Sequence, residues 1–333
     1  MTVAPKLSVV MSVFNGEEYL AGAVNSVLGQ TFTDFEFIII DDGSTDGSKS
    51  ILEDFASRDP RIRVIEQQNS GLTRALRKGC DLAHGEYIAR MDADDFSVDT
   101  RFAKQIFVLD QRPDCVAVTS HVEHFHDDGT VKMVAGEIGP EELIQLYNGF
   151  TNRIGGHGQV MFRRSAYSEA GGYDPHFRYS QDYDLWCRLL HLGRFAVIGE
   201  VLYRWRVGYG STTDKNKDLQ LRCATEITCR EHRRLTGREI THETAMALID
   251  LWWARKPERT PIKQVRLASE AMNRAVKSYF RKNSDLANFE QEARLLIART
   301  YKWRIPLTSK WNLARKALLL AHAVCWRLSA ITR

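Results

Sequence analysis

Two hydrophobic periodicities alternate through the first hundred residues, and that alternation restricts the possible folds more than any other feature of the chain. The runs LSVVMSVF (7–14), FEFIII (35–40), RIRVI (61–65) and EYIARM (86–91) are β-branched or aromatic segments of strand length. Between them, Tyr19/Leu20, Ala23/Val24 and Val27/Leu28 repeat at helical spacing, as do Ile51/Leu52/Phe55 and Leu72/Leu76/Leu82. Strands alternating with helices predict an α/β domain with a mostly parallel central sheet and helices on both faces. Ligands in such folds bind beyond the carboxyl ends of the strands. The first run stops at Asn15-Gly16 and acidic residues, so it reads as a strand and not as a leader.

Acidic clusters stand at two of those carboxyl ends. FEFIII runs into Asp41-Asp42-Gly43-Ser44, and EYIARM runs into Asp92-Ala93-Asp94-Asp95. Two carboxylates ~5 Å apart repel by roughly 1 kcal/mol in bulk water and ~3 kcal/mol at an effective dielectric near 20. The second cluster therefore lies in open water, with Asp95 capping the next helix, or it holds a divalent cation such as Mg2+ or Mn2+ on Asp92 and Asp94. Asp42 is placed to accept a nucleobase N–H or a ribose hydroxyl, while Asp46 or Ser44 caps the helix that begins near Ser48.

A third polar cluster, SQDYDLW, opens a helix in which Asp184 pairs with Arg188 four residues on. Asp182 then sits at the helix start, where the macrodipole keeps it ionised, as a proton acceptor or as a simple cap. His157 in the GGHGQ loop (155–159) is a substrate-loop residue or a solvated turn histidine. Arg77, with Arg74, either reaches a phosphate or is a solvated helix arginine.

The net charge of +4 hides a division. Up to Leu219 there are 23 Lys and Arg against 32 Asp and Glu, and beyond it 23 against 10, so the two parts carry −9 and +13. An acidic first part and a basic second part predict two modules, 1–215 and 216–333, joined in the polar STTDKNKD stretch. The second module is expected to be helical. Its last segment, 310–333, is too apolar for an exposed helix, and His322 and Arg327 interrupt it before it could span a bilayer. Five of the seven tryptophans lie beyond residue 250, which suits either a packed helical subdomain or a helix lying on an anionic membrane surface. The six cysteines form no CxxC pair, as expected of free thiols in a reducing, cytoplasmic setting.

Taken in order, VVMSVFNGEEYL, FIIIDDGSTDGS, NSGLTRALRKG, GEYIARMDADD, GQVMFRRSAYSEAGGYD and SQDYDLWCRLL resemble the family 2 glycosyltransferases. The resemblance spans Leu7 to about Ser211. It implies a GT-A fold (Rossmann-like) followed by a C-terminal helical region. It also implies inverting transfer of a sugar from a nucleoside-diphosphate sugar, UDP by family frequency, to a saccharide or lipid-linked saccharide acceptor of a bacterial surface polysaccharide.

By position it implies that Ser12, Phe14, Asn15, Asp42, Arg77 and Asp92 bind the nucleotide sugar. Asp92 and Asp94 would hold Mn2+ or Mg2+, and Asp182 would be the general base. The chain departs from the family pattern at four places: Ser12 for the usual proline, Phe14 for tyrosine, Arg77 for asparagine and Gly208 for a frequent histidine. A cytoplasmic protein is implied, alone or peripheral on the inner face of the membrane, with no nucleic-acid partner; oligomeric state is not legible. The rival classes are a sugar-phosphate nucleotidyltransferase, whose Gly-rich basic loop is replaced here by FNGEEYL, and a catalytically degenerate membrane- or nucleic-acid-binding scaffold.

Overall fold

A computed structural model of the chain describes residues 4–208, 216–253, 260–303, 321–327 and 330. The chain forms two compact units, Met1–Glu141 with Ile154–Lys217, and Glu142–Arg153 with Asp218–Arg333.

The first unit opens with the expected alternation: β1 (Leu7–Val13), α1 (Glu17–Leu28), β2 (Phe35–Asp41), α2 (Ser48–Arg58), β3 (Ile62–Glu66), α3 (Leu72–Asp81) and β4 (Tyr87–Asp92). These strands lie side by side in the order β3-β2-β1-β4, all parallel. Successive side chains of a strand face opposite ways. Leu7, Val9, Met11 and Val13 share a buried cluster with Leu20, Val24 and Val27 of α1 and Leu52 of α2. Full burial of each such aliphatic side chain contributes about 1.5–3 kcal/mol. Val10 faces the other way, against α3, where a Cβ on Gly79 would lie 2.6 Å from its Cγ1. Helices thus cover both faces.

Past β4 the sheet is mixed. β5 (Phe96–Ser97), α4 (Arg101–Gln111), β6 (Cys115–Phe125), β7 (Val131–Ala135), β8 (Met161–Arg163), α6 (Arg164–Glu169), α7 (Gln181–Leu190) and β9 (Arg194–Arg206) complete the unit, with α5 (Ile144–Asn148) departing to the second. β8 joins β4 to β6 antiparallel to both, β9 runs parallel to β6, and β5 closes the far edge antiparallel to β9. The parallel part is therefore a four-stranded half-sheet, and antiparallel strands extend it. Trp186 of α7 packs edge-on to Phe162 and Phe195, locking α7 onto this extension.

The second unit is helical among its described residues: α8 (Lys217–Thr236), α9 (His242–Trp253), α10 (Ile262–Lys282) and α11 (Glu290–Trp303), with α5. Leu146, Tyr147 and Phe150 share its core with Leu248, Trp252, Met272, Val276 and Ile297. The Tyr279 hydroxyl donates to the Glu142 carbonyl at 2.6 Å, tying the 142–153 insertion in. Most of 310–333, and of the STTDKNKD stretch, lies outside the described residues. Within that tail, 321–327 are helical, and Ala323 and Trp326 are buried in this unit's core. No described helix is long and apolar enough to cross a membrane.

Candidate active site

The carboxyl ends of β1, β2 and β4 meet at one edge, because Ser12 is in register with both Ile40 and Asp92, and Val13 with Asp41. The β1–α1 and β2–α2 loops are laced together there. Asn15 Oδ1 accepts the Thr45 N–H at 2.8 Å, the Asn15 N–H donates to Ser44 Oγ at 3.1 Å, and Asp46 accepts the N–H groups of Glu17 and Ser48, both at 3.0 Å. Asn15 has φ 53, a left-handed conformation that asparagine tolerates better than most residues. The lacing leaves the Phe14 ring 53% exposed beyond the strand end.

Asp42 is buried and anchors the β3–α3 loop. Its Oδ1 accepts from Gln67 Nε2 at 2.6 Å, the Ser70 N–H at 2.9 Å and Ser70 Oγ at 3.1 Å, while Oδ2 accepts the Gly71 N–H at 2.8 Å. Gly43 (φ 81) permits this approach, since a Cβ there would come 2.9 Å from the Asn69 nitrogen. Arg77 points along α3: its Nη1 donates to the Tyr173 carbonyl at 2.7 Å, and its Nε lies 3.6 Å from Asp81.

The three carboxylates after β4 are divided among different partners. Asp92, a third exposed, pairs with Arg90 at 2.6 Å. Asp95 does not cap a helix. It is buried, accepting the Tyr203 hydroxyl at 2.8 Å and the Arg206 N–H at 2.8 Å. Asp94 is the exposed member, with Arg206 Nε holding its carbonyl at 3.0 Å. Loss of solvent and the crowding of the carboxylates, offset in part by Arg90 and Arg206, show in their acidity. Desolvation and then the Asp92 charge raise the Asp94 carboxyl to about 6, and the same causes, with Asp94 added, hold Asp95 well above the carboxylate range.

Asp182 lies in the first turn of α7, partly exposed, with Oδ1 on the Tyr183 N–H at 2.7 Å. The residue before the helix, Ser180, has φ 55; together with Asn15 it is the only non-glycine positive φ among the described residues, and both flank this edge. Asp184 is fully buried, and Arg188 Nε donates to it at 3.0 Å, as its spacing predicts.

The GGHG loop ties these parts together. His157 is buried, its Nδ1 3.2 Å from the Tyr173 hydroxyl and its Nε2 3.3 Å from Gln181 Nε2. Desolvation, then the Arg90 charge, keep the His157 ring neutral by lowering its pKa well below the usual value. Trp186 Nε1 donates to the Gly155 carbonyl at 3.1 Å. Gly158 leaves no room for a Cβ against the Tyr203 ring. The loop thus braces both the start of α7 and the tyrosine behind the acidic turn. Tyr173 links the two sides: burial raises its phenol far above the ordinary value, Cys80 adds to this, and both Asp182 and Asp92 contribute.

Sequence reasoning did not single out Arg90, Arg101, Tyr173, Tyr203 or Arg206. The available signal was a charge inside the otherwise apolar run EYIARM.

Residues 8–171 match the model of glycosyl transferase family 2. The chain is 31% identical over 208 residues to the amylovoran biosynthesis glycosyltransferase AmsE of Erwinia amylovora, covering 60% of this chain and 76% of that one. It is 30% identical over 217 residues to a chondroitin synthase of Escherichia coli, covering 65% of this chain and 31% of that one. In fold it is similar to TarS 1-349 of S. aureus, crystallised in complex with UDP-GlcNAc, with a TM-score of 0.60 at 14% identity, covering 98% of this chain and 92% of that one.

Proposed function

Since the chain belongs to glycosyl transferase family 2 and is a glycosyltransferase of GT-A fold, we propose that it transfers a sugar, with inversion, from a UDP-sugar to a saccharide or lipid-linked saccharide acceptor in surface polysaccharide synthesis. The observation that supports this reading is the 155–159 loop: His157 contacts Gln181, the residue before Asp182, while Gly158 packs against Tyr203, whose hydroxyl accepts the Asp92 N–H. That loop links the start of α7 to the acidic turn after β4, which supports a proton acceptor at Asp182 and a diphosphate-side carboxylate at Asp92. The relative named for amylovoran biosynthesis supports the polymer acceptor, and the UDP-GlcNAc complex of TarS supports the donor class.

The acceptor hydroxyl attacks the anomeric carbon as Asp182 takes its proton. The new O–C bond forms while the bond from that carbon to the β-phosphate oxygen breaks, and its electron pair leaves on the diphosphate. The position of Asp182 at the amino end of α7, where the helix dipole favours negative charge, keeps it ready for that proton. Ser12, Phe14, Asn15 and Asp42 form the nucleotide side. Phe14 offers an exposed ring to the base, and Asp42 Oδ2, with one N–H from Gly71, retains a lone pair for a base or ribose donor. Arg77 supports this side by fixing the Tyr173 backbone, and His157 holds Gln181 beside the base.

The donor set of Asp92 and Asp94 fits Mn2+ or Mg2+. Asp92 is a third exposed and Asp94 exposed on one turn, and among the described residues no cluster of three or more His, Cys, Asp or Glu cages an ion, so phosphates and water would complete the shell. When bound, the ion supplies Lewis-acid stabilisation of the departing diphosphate. The +13 charge after Leu219 supports attachment of the second unit to an anionic membrane surface, where a lipid-linked acceptor resides.

A thermal-shift panel of nucleoside diphosphates tests the donor side. UDP with Mn2+ is expected to raise Tm by several degrees, since a ligand at 100 times its Kd stabilises by about 2.7 kcal/mol. Equal, negligible shifts for every nucleotide with and without metal would count against the reading.

A further inference from the structure

β4 carries a charge where its neighbours are apolar. Arg90 is fully buried between Ala89 and Met91. Removing a guanidinium from water costs several kcal/mol, and even a well-paired buried ion pair is often no more stable than apolar residues of the same volume. Stability alone therefore does not account for an arginine here.

Its contacts do. Arg90 and Asp92 are two apart on one strand, so their side chains share a face, and Nη2 forms an ion pair with Asp92 Oδ1 at 2.6 Å, outside hydrogen-bond geometry. Nη1 donates to the Met91 carbonyl. Arg101, also fully buried, fixes the strand from the other side: its Nη2 donates to the carbonyls of Arg90 at 3.1 Å and Val160 at 3.3 Å, and its guanidinium lies 5.2 Å from the centre of the Tyr203 ring. The Tyr203 hydroxyl accepts the Asp92 N–H at 3.2 Å. Asp92 is thus held by its side chain through Arg90 and by its backbone through Tyr203.

We propose that Arg90 is a positioning residue for sugar transfer: it occupies one oxygen of Asp92 and fixes the other as the oxygen that Asp92 offers to the donor. This inference rests on the donor-binding reading of Asp92 given above. In this arrangement Asp92 is at most a one-oxygen ligand, and Asp94 carries the larger share of any ion. The buried positive charge also offsets the crowding of three carboxylates in four residues, so the turn keeps its shape before a donor arrives.

The test is UDP affinity by calorimetry, with and without Mn2+, for the full chain and for Arg90→Met, Arg90→Lys, Asp92→Asn and the double variant Arg90→Met/Asp92→Asn. Arg90→Met is expected to weaken UDP binding in Mn2+ about tenfold, and Asp92→Asn similarly. The double variant should be no weaker than Asp92→Asn alone, because residues acting through one contact are not additive. Arg90→Lys, which keeps the charge but not the two-point grip, should fall between. If Arg90→Met fails to fold, the same comparison is made with Arg90→Lys on the two backgrounds.

Losses that multiply in the double variant would overturn the role of Arg90, as would a folded Arg90→Met or Arg90→Lys that binds like wild type. Wild-type protein that binds no UDP in Mn2+ would overturn the donor reading and this role with it.

Discussion

Asp182→Asn is expected to lower the rate of sugar transfer by about 10²–10⁴-fold, the usual loss on removing a general base, while UDP affinity stays within about twofold because the side chain does not belong to the donor side. The carboxamide keeps the size of the carboxylate but cannot accept the acceptor's proton. The loss should fall on kcat, with donor KM little changed. The neighbouring carboxylate supplies the contrast. Asp184 is fully buried and paired with Arg188, so its removal would leave the partly buried Arg188 guanidinium without its carboxylate and cost about 3 kcal/mol of stability. Two aspartates two residues apart thus separate into a catalytic and a structural role, distinguishable by rate assay against thermal melt. Near wild-type turnover in Asp182→Asn would remove it from the base role.

The second large effect is expected at Asp94. Its carboxyl is the exposed member of the triplet, and desolvation followed by the Asp92 charge raises it to about 6. Asp95 is committed to Tyr203 and Arg206, and Asp92 shares an oxygen with Arg90. Asp94→Asn removes the charge most available to a cation. It should lower kcat/KM by about 10²-fold or more, in the range expected when electrostatic stabilisation of a leaving group is lost, and raise the Mn2+ concentration needed for half-maximal rate. Fold and Tm should change little, since an exposed side chain leaves no cavity. Full activity of this variant at low Mn2+, or of the wild type in excess chelator, would argue against a cation at this turn.

Much of the catalytic unit was legible because its information is local. Strand–helix alternation placed β1 to β4 in sequence, and the rule that ligands gather beyond strand ends then singled out Asp42, Asp92 and Asp94 without any contact map. The i, i+4 spacing alone indicated the Asp184–Arg188 pair.

What stayed hidden is non-local. Tyr203 reaches Asp92 across 111 residues of chain, and no periodicity reports such a contact. Arg90 was absorbed into an apolar run because a single charge does not break a strand pattern, so the cation answering the three carboxylates went unnoticed. β8 is three residues long, too short for alternation to register, and with it went the antiparallel extension of the sheet. The segment 142–153 carries a short helix whose apolar face gives no sign of which core it joins. Only the structure assigns it to the second unit.

The central claim is one inverting displacement with Asp182 as base, and the anomeric configuration of the product tests it most directly. Proton NMR of the disaccharide formed from an α-linked UDP-sugar and a saccharide acceptor should show only the β-anomer while the reaction runs. Accumulation of the α-linked product would contradict single displacement at this site.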